Sequence, residues 1–211
     1  MQLSNGFPED IRNLIFDLGN VLVDIDISAT LEAFAALNIG GLRPEDIHPH
    51  QNGFFLDYEL GHLTDDGFLS AIRRAYGCSG IPDHRIWEAW NAMIPAVDSG
   101  RFRLMKGLGQ YRLFVLSNTN PQHISRLHGL YREATGGDDF ERFFEACFYS
   151  HDMHLRKPDP EIYRSVINQT GIIPEQTLFI DDNACNFPGA RALELKTYHL
   201  TGNETLFGLF E

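Results

Sequence analysis

Short apolar runs that end in an acid or a hydroxyl recur along this chain. Leu14-Ile15-Phe16 leads into Asp17, and Val21-Leu22-Val23 continues apolar after the turn. Leu113-Phe114-Val115-Leu116 ends in Ser117-Asn118-Thr119-Asn120. Ala146 to Tyr149 is a weaker run, and Thr177 to Ile180 ends in Asp181-Asp182-Asn183. Runs this short, with β-branched or aromatic residues, read as buried strands. The predicted strands are therefore Arg12–Leu18, Leu113–Leu116, Ala146–Tyr149 and Thr177–Ile180, with Lys196–Leu200 as a last one.

Between them the spacing changes to the helical period. Leu31, Phe34 and Ala35 share one face of a helix predicted over Ser28–Leu37, with Ser28 as N-cap. Asn52–Leu60, Thr64–Tyr76 and Pro82–Met93 also read as helices. Thr64 followed by Asp65 and Asp66 is a strong helix start, a capping hydroxyl ahead of first-turn acids. Asp98–Gly109, Pro121–Arg132, Pro160–Thr170 and Phe187–Leu193 complete the helices, and Ser150–Arg156 reads as a loop. Strand–loop–helix alternation predicts an α/β fold, a doubly wound parallel sheet. Residues 27 to 96 carry no strand signal. The expected organisation is an α/β core, 1–25 plus 97–211, with an all-helical cap, 26–96, inserted after the first strand.

Composition narrows the partners. The 211 residues, 43% hydrophobic, suit one sizeable domain or a core with one insertion. A net charge of −12 argues against nucleic acid and against an anionic membrane. There is no apolar run of about 18 residues and no signal-like stretch in the polar N-terminus, so a cytoplasmic protein with no membrane partner is expected. Cys78, Cys147 and Cys185 are odd in number and widely spaced, which fits reduced thiols. A monomer is the default for a capped domain of this size.

In a parallel sheet the carboxyl ends of the strands share one edge, where ligands bind. That edge collects Asp17, Ser117-Asn118, Lys157 and Asp181-Asp182. Each alone could be a strand cap, a turn residue or a solvated lysine. Their joint placement is harder to explain without chemistry. Carboxylates gathered at one point repel unless a cation sits among them. Oxygen ligands without histidine or cysteine suit Mg²⁺. Lys157 and Ser117 add donors for an oxyanion, which together make a site for a phosphoryl group. An aspartate there can serve as nucleophile.

With this order and spacing, the chain resembles the haloacid dehalogenase-like hydrolase superfamily. The opening loop Asp17-Leu18-Gly19-Asn20-Val21 and the stretches Ser117-Asn118-Thr119-Asn120 and Asp181-Asp182-Asn183 are similar to its bacterial α-D-glucose-1-phosphate phosphatase branch. Glu59-Leu60-Gly61 in the helical segment agrees with that branch, and the segment itself resembles the family's type-one cap. The resemblance implies Asp17 as phosphoryl-accepting nucleophile and Mg²⁺ ligand. It implies metal contacts from the Gly19 carbonyl and Asp182, with Asp181 acting through water or as the partner of Lys157. It implies phosphate contacts from Ser117, Asn118 and Lys157, and a supporting role for Asn183. The expected substrate is a small phosphorylated metabolite, a hexose 1-phosphate first among candidates.

Gly19 departs from the family pattern. Most phosphatases of the superfamily carry a second aspartate there, which protonates the leaving group; glycine keeps the carbonyl and removes the acid. Three readings follow. A phosphatase could favour leaving groups that need little protonation, with Asp24, Asp26 or a cap residue as substitute acid. A haloacid dehalogenase needs the aspartate nucleophile but has no use for Asp181-Asp182. A phosphate-binding regulatory module could have kept the fold and lost turnover. A Schiff-base lysine from the cap is excluded, because Lys106, Lys157 and Lys196 are the only lysines and none lies in 26–96. In the cap, His48, His50, His62, Arg73 and Arg74 are polar candidates to reach substrate, while Phe54, Phe55, Tyr58, Trp87 and Trp90 read as cap core.

Overall fold

A computed structural model describes residues 1–4, 7–47, 53–137, 139–202 and 206–210. Five strands form one parallel sheet: β1 (Asn13–Phe16), β2 (Arg112–Ser117), β3 (Ala146–Tyr149), β4 (Thr177–Asp181) and β5 (Lys196–His199), in the order β3-β2-β1-β4-β5. β1 lies in the middle, pairing Asn13 to Arg112 and Phe16 to Val115 on one side, Asn13 to Thr177 and Phe16 to Ile180 on the other. The chain thus builds outward from β1 first to one side and then to the other. The reversal between β1 and β4 opens a crevice at their carboxyl ends.

Alternation along the strands covers both faces. Leu14, Phe16, Leu113, Val115, Leu178 and Ile180 belong to one apolar cluster. Ile15, Phe114, Leu116 and Phe179 belong to the other. Strands buried on both faces read as continuous apolar runs, which is why the strands stood out in the sequence.

Between β1 and β2 the described residues hold no further strand of the sheet but α1 (Ile27–Ala36), α2 (Pro44–Ile47), α3 (Phe54–Glu59), α4 (Asp65–Tyr76), α5 (Asp83–Asn91) and α6 (Ser99–Leu104), then a 3₁₀ turn, Met105–Leu108. The start of the helix expected at Asn52 lies outside the described residues. Thr64 caps α4, its hydroxyl accepting from the Gly67 amide at 3.2 Å. The cap of α1 is Asp26 rather than Ser28: its carboxylate accepts from the Ala29 amide and from the Ser28 hydroxyl. Tyr58 and Trp87 stack in the aromatic centre of this segment, and Trp87 lies against Phe68. Phe55, Tyr58, Phe68, Ile86 and Trp90 join the same apolar cluster as Leu14 and Val115, so the helical segment and the sheet share a core.

The remaining helices are α7 (Pro121–Thr135), α8 (Ser150–Met153), α9 (Pro160–Thr170) and α10 (Phe187–Arg191). α8 is a single turn where a loop was expected. No helix among the described residues is long and apolar enough to cross a membrane. Two glycines mark close approaches. At Gly61, with φ of +68°, a Cβ would lie 2.0 Å from the His151 carbonyl. At Gly189 it would lie 2.0 Å from the Pro158 carbonyl, so only glycine lets α10 pack against the loop that carries Lys157.

Candidate active site

Asp17 follows β1 directly, and its amide donates to the Ile180 carbonyl at 2.9 Å. The chain then turns sharply: the Leu22 and Val23 amides both donate to the Leu18 carbonyl. Asn20 sits in the left-handed region at φ of 53°, which asparagine tolerates better than most residues. Its side chain braces the turn on both sides, accepting from the Ile25 amide at 3.1 Å and donating to Asp182 at 2.8 Å.

Lys157 is the centre of the arrangement. It is 1% exposed, and its Nζ lies 2.9 Å from Asp17 Oδ1 and 2.7 Å from Asp181 Oδ2. It also lies over the Phe179 ring, 5.3 Å from the centroid. The Asn118 side chain holds the Lys157 backbone at both ends, accepting from its amide at 2.9 Å and donating to its carbonyl at 3.0 Å. Asp181, fully buried, accepts two bonds from Asn186 Nδ2 and one from the Asn183 amide besides that of Lys157. Both carboxylate oxygens are therefore engaged, Oδ2 by Lys157 and Asn186 and Oδ1 by Asn186 and the Asn183 amide. Asp182 is half-buried, its carbonyl facing His199 Nε2 at 2.8 Å.

Burial sets the electrostatics. It pushes the Asp17 carboxyl up to about 7; the Lys157 ammonium works against this, and Asp181 and Asp182 add to it. Burial alone would push Lys157 down, but Asp17 and Asp181 outweigh it and hold the ammonium above its ordinary range. Asp182 is raised by burial, relieved by the Asn20 bond and raised again by Asp181. Asp17, Asp181 and Asp182 each offer an oxygen within 4.8 Å of the others. Asp17 Oδ1, although near Lys157, lies off the direction of any hydrogen bond. A buried carboxylate oxygen without a directed partner, between two more acids, fits a hard divalent cation such as Mg²⁺.

These groups floor a cavity of about 590 Å³. Asp17, Gly19, Ser117, Asn118, Lys157, Asp182 and Asn183 all face it, whereas Asp181 lies beneath, behind Lys157. The helical segment contributes Phe55, Glu59, Trp90, Met93 and Ile94 to its walls. Glu59 meets Arg156 at 3.1 Å, and its carboxyl is raised by burial against the pull of Arg156 and Lys157. His123 stacks on Trp90, ring centroids 4.9 Å apart.

The polar residues expected to reach substrate lie elsewhere. His62 stacks on His154, Arg73 pairs with Asp83, and Arg74 is exposed; none faces the cavity. His48 and His50 lie outside the described residues. Asp24 pairs with Arg101 at 2.7 Å. Asn20, Glu59, His123 and Asn186 were not singled out in the sequence as site residues, although Asn20 and Glu59 stand in stretches that carry the family resemblance; each works through a partner distant in the chain or within a local turn.

The chain belongs to the haloacid dehalogenase-like hydrolase family, which matches residues 11–193. It is 29% identical over 189 residues to a D-ribitol-5-phosphate phosphatase of Bacteroides thetaiotaomicron, covering 89% of this chain and 91% of that protein. It is 26% identical over 200 residues to a sesquiterpene phosphatase of Aspergillus oryzae, covering 89% and 88%. A solved structure of a HAD family enzyme from Bacteroides thetaiotaomicron, in complex with magnesium and inorganic phosphate, superposes with a TM-score of 0.84 at 30% identity, covering 95% of this chain and all of that one.

Proposed function

We propose that this hydrolase is an Mg²⁺-dependent phosphatase that cleaves a small phosphomonoester through an aspartyl-phosphate on Asp17. The observation that carries the reading is the buried Lys157 bridging Asp17 and Asp181 on the floor of the cavity, 2.9 and 2.7 Å away. Asp17 serves no purpose in plain anion binding, where a carboxylate beside a phosphate repels it. The relatives named for phosphatase activity and the magnesium–phosphate complex agree with it.

Asp17 and Asp182, with the Gly19 carbonyl, would hold the cation; it would neutralise phosphate charge and keep Asp17 ionised. The Asp17 carboxylate attacks phosphorus, and the bond from phosphorus to the ester oxygen breaks. Lys157 Nζ, Ser117 Oγ and the Asn118 amide donate to the phosphoryl oxygens as their charge shifts. The Asn118 side chain is committed to Lys157, so only its backbone is left for that task. The leaving oxygen takes up a proton from solvent water, since Gly19 supplies no acid. Water then attacks phosphorus, freeing Asp17 and inorganic phosphate. Residues 26–96 act as the cap over a core of 1–25 and 97–211. The hexose 1-phosphate expected from the sequence rests on Gly19 and the branch resemblance alone. The two phosphatase relatives are named for very different alcohols, so family membership does not choose the leaving group.

The test is phosphate release from a panel of phosphomonoesters in Mg²⁺ and in EDTA, for the parent and Asp17→Asn. Release should require Mg²⁺ and fall on the order of 10⁴-fold or more in the variant. A parent that releases nothing, with unchanged ligand affinity in the variant, makes this a binding module. Melting curves give a second readout. Asp17 in the metal-free fold is raised to about 7, so its neutral form is the one the fold favours. That stability is fully present below the ordinary aspartate range and is lost as pH rises towards 7. Mg²⁺ takes the place of the proton, so the melting-temperature gap between Mg²⁺ and EDTA should widen from pH 5 to pH 8. A gap independent of pH contradicts a metal on Asp17.

A further inference from the structure

The wall of the cavity above the phosphate floor is largely apolar, and four of the polar side chains set into it are already committed, Asn120 with His123 and Glu59 with Arg156. Ile25 and Ile27 come from the segment that leaves the core, Phe55, Trp90 and Ile94 from the helical segment, and Ile124 from α7. Among them stand Asn120, His123, Glu59 and Arg156. Asn120 Oδ1 accepts from the His123 amide at 3.1 Å and faces Trp90 Nε1 at 3.4 Å, and its Nδ2 faces His123 Nδ1 at 3.0 Å. His123 Nε2 faces the Trp90 carbonyl at 3.3 Å. Burial holds this imidazole down at about 4, so the ring is neutral. A neutral ring satisfies both contacts only as the Nε2–H tautomer, accepting from Asn120 and donating to Trp90. Glu59 and Arg156 pair with each other.

Buried polar groups without partners are costly. A polyol chain placed here would lay several hydroxyls against isoleucine, phenylalanine and tryptophan. The amide and imidazole beside them have already used their donors and acceptors. Glu59 Oε1 has no directed hydrogen bond but lies 3.1 Å from the Arg156 guanidinium; it has room for at most a single donor, not for a row of them.

Resting on the phosphatase reading, we propose that the alcohol this site selects is apolar: an alkyl, alkenyl or aryl monophosphate carrying at most one polar handle, rather than a sugar or polyol phosphate. The leaving group lies against Ile27, Phe55, Trp90 and Ile94 while its phosphate sits on Lys157 and Ser117.

The experiment compares n-hexyl phosphate with sorbitol 6-phosphate. The two share a carbon count and a dianionic head, and the hexyl alkoxide is the poorer leaving group, so leaving-group chemistry cannot favour it. Calorimetry on Asp17→Asn with Mg²⁺ should give hexyl phosphate at least about tenfold the affinity of the polyol ester, the scale of discrimination an apolar pocket supplies. Ile27→Asn, at a half-buried wall position that can change without emptying the core, should weaken hexyl phosphate about five- to tenfold and leave the polyol ester unchanged or improved. Equal affinities, or a preference for the polyol ester, overturn the proposal. In the parent, kcat/KM should follow the same order. If the parent cleaves neither ester, the phosphatase reading fails, while the ratio of affinities still decides this one.

Discussion

The floor and the wall of one cavity are built on opposite principles. On the floor, three carboxylates and one ammonium are packed at the strand ends, and each is held by a named partner: Asp181 by Asn186, Asp182 by Asn20, Lys157 by Asp17 and Asp181. On the wall, isoleucine, phenylalanine and tryptophan make a largely apolar lining, with Asn120 and His123 turned towards each other. Charge on the floor is expensive to bury and stays only because every member compensates another. The wall asks for no such compensation. The floor should therefore tolerate no deletion, and the half-buried wall positions Ile25 and Ile27 should tolerate change at the cost of selectivity, whereas Phe55, Trp90 and Ile94 also belong to the core.

Lys157→Met is the strongest way to break that contrast. It removes the cation and strands Asp17 and Asp181 in a buried setting. In EDTA it should destabilise the fold by about 3–5 kcal/mol in urea titrations, with part of the loss recovered in Mg²⁺. A loss below about 1 kcal/mol would mean that the floor is not a mutually dependent unit.

A smaller effect, and a gain, is expected at the seam between floor and wall. Gly19→Asp restores an acid two residues after Asp17. The backbone there is not in the left-handed region, and an added Cβ would sit 3.4 Å from Ile25 Cγ1, a contact that a half-buried isoleucine can yield to. If the parent lacks leaving-group protonation, the variant should raise kcat for alkyl phosphates by about 10²-fold, the lower end of general-acid help. Aryl phosphates should gain little. An equal gain, or none, across leaving groups would show that the parent already has its acid.

The floor was legible in the sequence and the wall was not, for a physical reason. A strand buried on both faces writes a continuous apolar run, and the polar residue that ends it is conspicuous; Asp17, Ser117 and Asp181-Asp182 were all visible this way. β3 and α9 begin and end where the sequence placed them. The wall is made where helices from distant parts of the chain meet, and helical spacing says only that Phe55 and Trp90 are buried, not that they face a cavity. Polar character alone named His62, Arg73 and Arg74 as candidates to reach substrate, and the fold uses them for a ring stack, an ion pair and exposed surface. Asn186 stayed hidden because its task, holding Asp181, exists only once β4 and the turn after it are in place. The N-cap of α1 was misplaced by two residues, since Asp26 and Ser28 are both good caps and only the turn geometry selects between them.

The smallest expected effects lie at Asp24 and Asp26, the two acids just beyond the floor that could replace the proton donor missing at Gly19. Their contacts argue against it. Asp24 is 68% exposed and faces Arg101, an arrangement worth about 0–1 kcal/mol on a surface. Asp26 is engaged with the Ala29 amide and the Ser28 hydroxyl, chiefly the latter, which hold its carboxyl below the ordinary range; an acid so held is a poor proton donor at neutral pH. Asp24→Ala and Asp26→Ala should each keep kcat within about twofold for every substrate, since neither group acts as general acid. Asp26→Ala should lower the melting temperature by about 2–4 °C through loss of the helix cap, and Asp24→Ala by less. A selective fall in kcat for alkyl over aryl phosphates in either variant would place the missing acid there and move the seam of the site out to the start of α1.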